Sequence, residues 1–243
     1  MTQIVIPMAG RGQRFVDAGY KNPKPFIDVA GKTMVDRVMQ NLPDGDTTFV
    51  TLEAHREQVE QMDDLAALHC GIVIRLTEVT AGAACTVLEG IDHLTHHRPS
   101  DGVIVANSDQ FIDWNPEHFL SYMQRFKADG GIATFRASVA KWSYADVKEN
   151  GIIAAVAEKI PISRDATCGV YYFKNALILK NAILQMMAKN IKTNGEFYLA
   201  PVYNEMITDG MKILNYPVPR MYGMGTPEDL AETLCIHNEN GIF

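Results

Sequence analysis

Gly10, Arg11, Gly12 and Arg14 crowd together near the start of the chain, and Lys24 follows in Pro23-Lys24-Pro25. Glycines let a backbone approach phosphate oxygens closely, while arginine and lysine supply the positive charge that a triphosphate and its transition state require. The stretch runs directly out of an apolar segment, Gln3-Ile4-Val5-Ile6-Pro7-Met8-Ala9, so Met8 and Ala9 lead a strand into a nucleotide-phosphate cradle. Two better-known phosphate loops each fail on a residue that matters. A dinucleotide fingerprint wants its third glycine where Phe15 stands, and a P-loop ending at Gly31-Lys32-Thr33 wants its first glycine at Phe26. What remains is G-x-G-x-R after a strand, with P-K-P soon after; the competing reading is a tight turn with solvated arginines.

Asp109 follows Val103-Ile104-Val105-Ala106-Asn107-Ser108, which puts its carboxylate at the tip of a buried strand. A carboxylate there suits Mg²⁺, which takes one or two protein carboxylates together with phosphate oxygens and water. An Asx-turn closing the strand is the other reading, and a phosphate loop at the same rim favours the metal. Glu158-Lys159 ends the apolar run from Ile152 to Ala157; the lysine could hold a second phosphate and the glutamate could accept hydroxyl hydrogen bonds, against the reading of a solvated strand end. Glu196, in Asn194-Gly195-Glu196-Phe197-Tyr198, has helix N-capping as its alternative. His93, His96 and His97 match no metal-ligating pattern, and Cys70, Cys85, Cys168 and Cys235 stand far apart with no C-x-x-C pair.

These residues need elements to position them, and the hydrophobic pattern supplies them. Strand-like runs at 2–8, 47–53, 71–77 and 102–107 alternate with helical patterns at 33–42, 55–69 and 82–95, which predicts a parallel sheet with helices on both faces. Thr33 can cap a helix whose Met34, Val35, Val38, Met39 and Leu42 share one face, and Val59, Met62 and Leu65 do the same in the next. After residue 110 the strands at 130–137, 151–158 and 168–174 come closer together and predict an antiparallel or mixed extension. Helices follow at 175–191, 197–209 and 226–239, the last opening with Thr226 as cap, Pro227 at the first position and the acids Glu228 and Asp229. The expected fold class is therefore α/β: a doubly wound, mixed but mostly parallel, Rossmann-like sheet in a single domain. Residues 1–110 would form a nucleotide-binding half and 111–243 an acceptor-binding half. Ligands of such sheets sit outside the carboxyl ends of the parallel strands, where the glycine loop, the Thr80–Ala84 stretch and Asp109 all fall.

Composition narrows the function classes. The chain has 243 residues, 47% of them hydrophobic and 21% charged, which is ordinary globular usage and argues against disorder or a fibrous role. A net charge of −7 with no basic block argues against a general nucleic-acid binder. No apolar run approaches the roughly eighteen residues a membrane span needs, and no secretory signal opens the chain, so a cytoplasmic protein is expected.

The order and spacing of these pieces resemble the bacterial sugar-phosphate nucleotidylyltransferases over nearly the whole chain. The resemblance rests on G-x-G-x-R at 10–14, P-K-P at 23–25, Thr80-Ala81-Gly82-Ala83-Ala84, Asp109, Glu158-Lys159, G-V-Y-Y-F at 169–173, G-E-F-Y-L at 195–199 and G-T-P-E-D-L at 225–230. It is nearest in look to members that begin "IPMAG" and serve capsule or surface-polysaccharide pathways. The resemblance implies a GT-A-like nucleotidyltransferase fold. It also implies a Mg²⁺-dependent reaction in which a phosphate oxygen of a sugar phosphate or similar small phosphorylated metabolite attacks the α-phosphorus of a nucleoside triphosphate and releases pyrophosphate. Gly10 and Gly12, with Met8, Ala9, Arg11, Gly82 and Ala83, would hold the nucleotide; Arg14 would stabilise the leaving pyrophosphate and Lys24 would sit near the α-phosphate. Asp109 would bind Mg²⁺, Lys159 would hold the acceptor phosphate, and Glu158, Gly169 and Glu196 would line the acceptor pocket. The expected partners are these two small molecules, with neither nucleic acid nor membrane, and the oligomeric state is open, a homo-oligomer included.

One departure stands out: the family's second metal aspartate falls at Gly223, and Asp113 is a candidate to replace it. Glu78 or Thr77 occupies the neighbourhood where many relatives place a base-reading glutamine; if Glu78 points inward as an acceptor it would suit the amino groups of cytosine or guanine, hence CTP or GTP. Two alternatives remain, a metal-dependent glycosyltransferase and a nucleotide-binding module that has lost its chemistry. Asn107-Ser108-Asp109 in place of a D-x-D pair speaks against the first; Arg14, Lys24 and Lys159 speak against the second.

Overall fold

The structure, a computed structural model, describes residues 2–58, 64–97 and 101–243, without the side chains of residues 56–58 and 93. Val59 and Met62, expected on the apolar face of a helix, lie outside the described residues. In chain order the strands are β1 (Gln3–Pro7), β2 (Asp28–Val29), β3 (Lys32–Thr33), β4 (Asp46–Leu52), β5 (Ile72–Leu76), β6 (Val103–Ala106), β7 (Gln110–Asp113), β8 (Gly130–Arg136), β9 (Ser143–Val147), β10 (Ile153–Glu158), β11 (Asp165–Phe173), β12 (Ile213–Pro217) and β13 (Arg220–Gly223). The helices are α1 (Gln13–Asp17), α2 (Met34–Met39), α3 (Glu53–Gln58), α4 (Asp64–Leu68), α5 (Ala83–His97), α6 (Pro116–Arg125), α7 (Ala176–Ala188), α8 (Val202–Thr208) and α9 (Pro227–Asn240).

β1 carries Ile4-Val5-Ile6, β-branched residues that pack well on a pleated surface, and it lies at the centre of the sheet because both its faces are apolar. Its side chains alternate between two cores. Ile4 and Ile6 pack with Phe49 and Ile104 against Met34, Val35 and Val38 of α2 and Phe119 and Met123 of α6. Val5 goes to the other face with Val50, Val103 and Val105, under Val87 and Ile91 of α5 and Leu179 and Ile183 of α7. β5, β4, β1 and β6 run parallel in that spatial order. The antiparallel β11 lies between β6 and β8, and β12 joins β8 in parallel, so the sheet is mixed and mostly parallel, as the sequence pattern predicts.

β11 changes partners along its length. On one edge β8 pairs with both Asp165–Thr167 and Tyr171–Phe173, while on the other Asp165 and Ala166 pair with β9 and Val170–Phe173 with β6. The irregularity between Thr167 and Tyr171 surrounds Gly169, whose φ of +77° few other residues adopt without strain. The sheet forks there, with the β9–β10 hairpin as the second arm.

Several elements escape the periodicity. β9, β12, β7 and β13 are short and mix polar residues into the alternation. α6, a helix beyond those expected, has both signals: Phe119, Leu120 and Met123 share a buried face, and Asn115-Pro116-Glu117 is a helix start, with the Asn115 side chain accepting from the His118 N–H at 3.0 Å. The helix expected at 197–209 begins only at Val202, because residues 196–199 run against the start of α5: the Phe197 N–H donates to the Ala81 carbonyl at 2.9 Å and the Ala84 N–H to the Phe197 carbonyl at 3.0 Å. Among the described residues no helix is long and apolar enough to cross a membrane.

Candidate active site

The glycine loop is built where β1 ends. The Met8 N–H donates to the Val50 carbonyl at 2.8 Å, which extends the parallel pairing one residue beyond the strand. Met8 and Ala9 are buried, Gly10 is exposed, and Gly12 takes a left-handed conformation (φ +62°) to open α1. A side chain at Gly12 would meet the Lys24 Cβ at 3.0 Å, so this glycine lets the loop close on the Pro23–Pro25 segment. Phe15 points into the core, which leaves Arg14 on the outer side of α1, beside the cleft. Behind the loop His55 is buried; burial holds its imidazole below its usual pKa, and Nδ1 lies 2.9 Å from the Thr51 hydroxyl.

Lys24 and Asp109 meet where two spaces join. Lys24 Nζ donates to Asp109 Oδ2, and both side chains are about four-fifths covered. On one side lies a recess of about 220 Å³ lined by Met8, Gly10, Gly12, Lys24, Ala83 and Asp109 among others. On the other lies a cleft of about 570 Å³ whose walls include Arg14, Glu158, Lys159, Gly169, Tyr171 and Tyr198. The Asp109 carbonyl accepts from the Met224 N–H at 2.8 Å, which seats Gly223–Gly225 directly beside the carboxylate. A Cβ at Gly225 would stand 3.2 Å from Asp109 Oδ2, the oxygen that also takes Lys24, so glycine allows this close approach of the loop.

The far wall of the cleft is the β9–β10 arm. Glu158 is 8% exposed; burial pushes its carboxyl pKa up, opposed by the Ser143 hydroxyl that donates to Oε2 and by the Lys159 charge. Lys159 holds a left-handed backbone (φ +57°), unusual for a residue with a side chain. Its Nζ donates to the Tyr198 hydroxyl at 2.7 Å and lies 4.6 Å from that ring's centroid. Lys141 Nζ pairs with Asp229 at 2.6 Å and lies 4.5 Å from the Trp142 ring centroid.

The fold thus brings Arg14, Lys24, Ala83, Asp109, Glu158, Lys159 and Gly169 to one cleft, with Met8, Gly10 and Gly12 along the adjoining recess. Arg11, Glu78 and Glu196 are exposed and stand outside these lining residues, and Ala9 is packed beneath the loop. Gly82 supports the site rather than lining it: with φ +138°, a Cβ there would meet the Phe197 backbone at 2.5 Å. Asp113 is exposed at the end of β7, opposite Arg220, while Asp229 at the start of α9 lines the cleft with its Cβ 4.0 Å from where a Gly223 Cβ would stand. Sequence reasoning passed over Lys141, Trp142 and Tyr198. Only Tyr198 carried a signal, through its place in the G-E-F-Y-L stretch.

The family model for nucleotidyl transferases matches residues 4–233. The chain belongs to the nucleotidyl transferase family. Among solved structures, a nucleoside-diphosphate-sugar pyrophosphorylase from Vibrio cholerae RC9 is 25% identical, with a TM-score of 0.81 over 96% of this chain and 99% of that one. A UDP-glucose pyrophosphorylase complexed with UDP-glucose is 17% identical, with a TM-score of 0.78 over 98% and 99% of the two chains. Another, from Acinetobacter baumanii, is 17% identical with a TM-score of 0.73 over 98% and 93%. At that identity these two relate to the nucleotidyl transferase through the fold alone. No curated protein is a significant match.

Proposed function

We propose that this nucleotidyl transferase moves a nucleoside monophosphate from a nucleoside triphosphate to a sugar phosphate or similar small phosphorylated acceptor, releasing pyrophosphate. The observation that carries the reading is the Lys24–Asp109 contact at the junction of the glycine-loop recess and the Lys159 cleft. An α-phosphorus at that junction would have the acceptor phosphate arriving from the Lys159 side and the leaving pyrophosphate facing the glycine loop and Arg14. A phosphate oxygen of the acceptor forms the new P–O bond as the bond to the bridging oxygen breaks, and that electron pair departs with pyrophosphate. The protein's part is alignment and charge neutralisation. Lys24 neutralises the α-phosphate, Arg14 the leaving group and Lys159 the acceptor phosphate.

Asp109 would hold Mg²⁺: its carboxylate lines both the recess and the cleft, and a cation of this kind needs few protein ligands, with Lys24 sharing Oδ2. Magnesium bound there would add positive charge at the phosphate oxygens. Glu78 is exposed beyond β5, so a preference for CTP or GTP requires its carboxylate to swing inward over the base. The acceptor would be a precursor of capsule or surface polysaccharide, following the sequence resemblance.

The test is thermal stability against five nucleoside triphosphates with and without Mg²⁺, followed by pyrophosphate release with a panel of phosphorylated acceptors. Stabilisation by one triphosphate plus Mg²⁺, with acceptor-dependent pyrophosphate release, is the expected result. A shift only with nucleoside diphosphate sugars would instead indicate a glycosyltransferase, and a preference for UTP or dTTP would remove the role given to Glu78.

A further inference from the structure

Gln110, the first residue of β7 and the neighbour of Asp109, is 4% exposed and lines the cleft. Its amide orientation is fixed locally. Nε2 donates to the Asn107 carbonyl at 2.8 Å, and the flipped rotamer would set two carbonyl oxygens against each other. Oε1 is thereby committed as an acceptor, yet among the described residues it has no hydrogen-bond partner. Buried polar atoms are nearly always matched, so an orphan in a substrate cleft asks what completes it.

The surroundings of Oε1 say what chemistry that is. A Cβ at Gly169 would stand 3.0 Å from Gln110 Oε1 and 2.6 Å from Asn107 Nδ2, so only glycine fits against this pair, and an acceptor and a donor lie side by side at the cleft wall. Across the β7–β13 pairing Gln110 stands opposite Gly223. A Cβ at Gly223 would meet the Trp142 ring at 3.2 Å, so this glycine makes room for Trp142 on the cleft wall. A hydroxyl can donate to Oε1 while accepting from Nδ2; an ammonium only donates, and a phosphate or carboxylate oxygen only accepts. Glu158, on the opposite wall of the same cleft, is a second acceptor, already given one donor by Ser143.

We propose that Gln110 selects the acceptor substrate, with Oε1 taking a hydrogen bond from a hydroxyl of a phosphorylated polyhydroxy compound. The inference rests on the nucleotidyl transfer reading and deepens it.

Calorimetric titration tests it with three probes, glucose 1-phosphate, methyl phosphate and O-phosphoethanolamine, on the wild type and Gln110→Met. Glucose 1-phosphate is expected to bind the wild type at least tenfold more tightly than either other phosphate, and Gln110→Met to lose that advantage while keeping its weak affinity for methyl phosphate. Unchanged glucose 1-phosphate affinity in a folded Gln110→Met would overturn the proposal. The wild type alone also decides: equal or undetectable binding of glucose 1-phosphate and methyl phosphate overturns it, and tighter binding of O-phosphoethanolamine replaces the hydroxyl with an ammonium. Parallel titration with nucleoside triphosphates keeps the two readings apart, because absence of nucleotide binding counts against nucleotidyl transfer and leaves the phosphate comparison intact.

Discussion

Lys24 lies on the glycine-loop recess and on the larger cleft at once, and removing its charge should separate chemistry from folding. Its ion pair with Asp109 is partly solvated, so the pair contributes about 1 kcal/mol or less to stability. Lys24→Ala is therefore expected to lower pyrophosphate release by roughly 10²–10³-fold, the scale of losing one transition-state stabiliser, with a melting temperature close to wild type. Near-normal release would refute the role. Glu158 gives a pH signature. Its folded pKa is raised by burial, so the folded protein binds this proton more tightly than the unfolded chain, and stability falls as pH rises out of the ordinary carboxylate range and through the raised value. Glu158→Gln should remove that decline, and urea unfolding of both proteins from pH 4.5 to 7 would show it; parallel pH profiles would sink the assignment. At this scale the sequence was readable where a motif is contiguous, as in Gly10–Arg14, Pro23–Pro25 and Glu158–Lys159. It was not readable for Lys141 and Trp142, which reach the cleft from a turn between β8 and β9 that has no periodicity of its own. Glu196 and Tyr198 show the finer limit: the segment was right, but which of its side chains faces inward is set by the pairing of Phe197 with Ala81 and Ala84.

That pairing is also where one element depends most on another. α5 starts directly after Gly82, and Gly82 lies so close to the Phe197 backbone that a methyl group has no room and φ is wrong for it. Gly82→Ala should destabilise the fold by about 1–3 kcal/mol through overpacking, a loss of several degrees in melting temperature for a chain of this size. Because the segment also carries Tyr198, acceptor affinity should fall with it, whereas a variant that melts like wild type would show that the contact can relax. Helix starts were legible because their signals are local: Thr33 and Thr226 cap as expected, accepting from the Asp36 and Asp229 N–H groups, both at 3.2 Å. Strands β7, β9, β12 and β13 were not, since each is held by long-range partners rather than by its own alternation.

The whole molecule is acidic, with a net charge of −7, yet Arg14, Lys24, Lys141 and Lys159 converge on one cleft. Asp109, Glu158 and Asp229 line the same cleft, and Lys24 and Lys141 are paired with two of them, so the positive excess is small and sits at Arg14 and Lys159, where it should attract polyanions over a distance set by the salt. The second-order rate constant for the triphosphate is expected to fall as sodium chloride rises from 50 to 500 mM, and independence from salt would mean that contact alone governs capture. The parallel half of the sheet followed from the alternation of strands and helices in the first half of the chain. The fork at β11 did not, because a strand that changes partners midway leaves no trace in its own residues. That fork has a further meaning. Within the sheet, the β9–β10 hairpin is joined to the rest through Asp165 and Ala166 of β11 and the Ile152–Leu214 bridge, while the glycine loop and Asp109 belong to the other branch. If the acceptor lies against Lys159 as proposed, exchanging that hairpin between homologues, together with its Asn204 anchor, should change the acceptor taken and leave nucleotide binding in place.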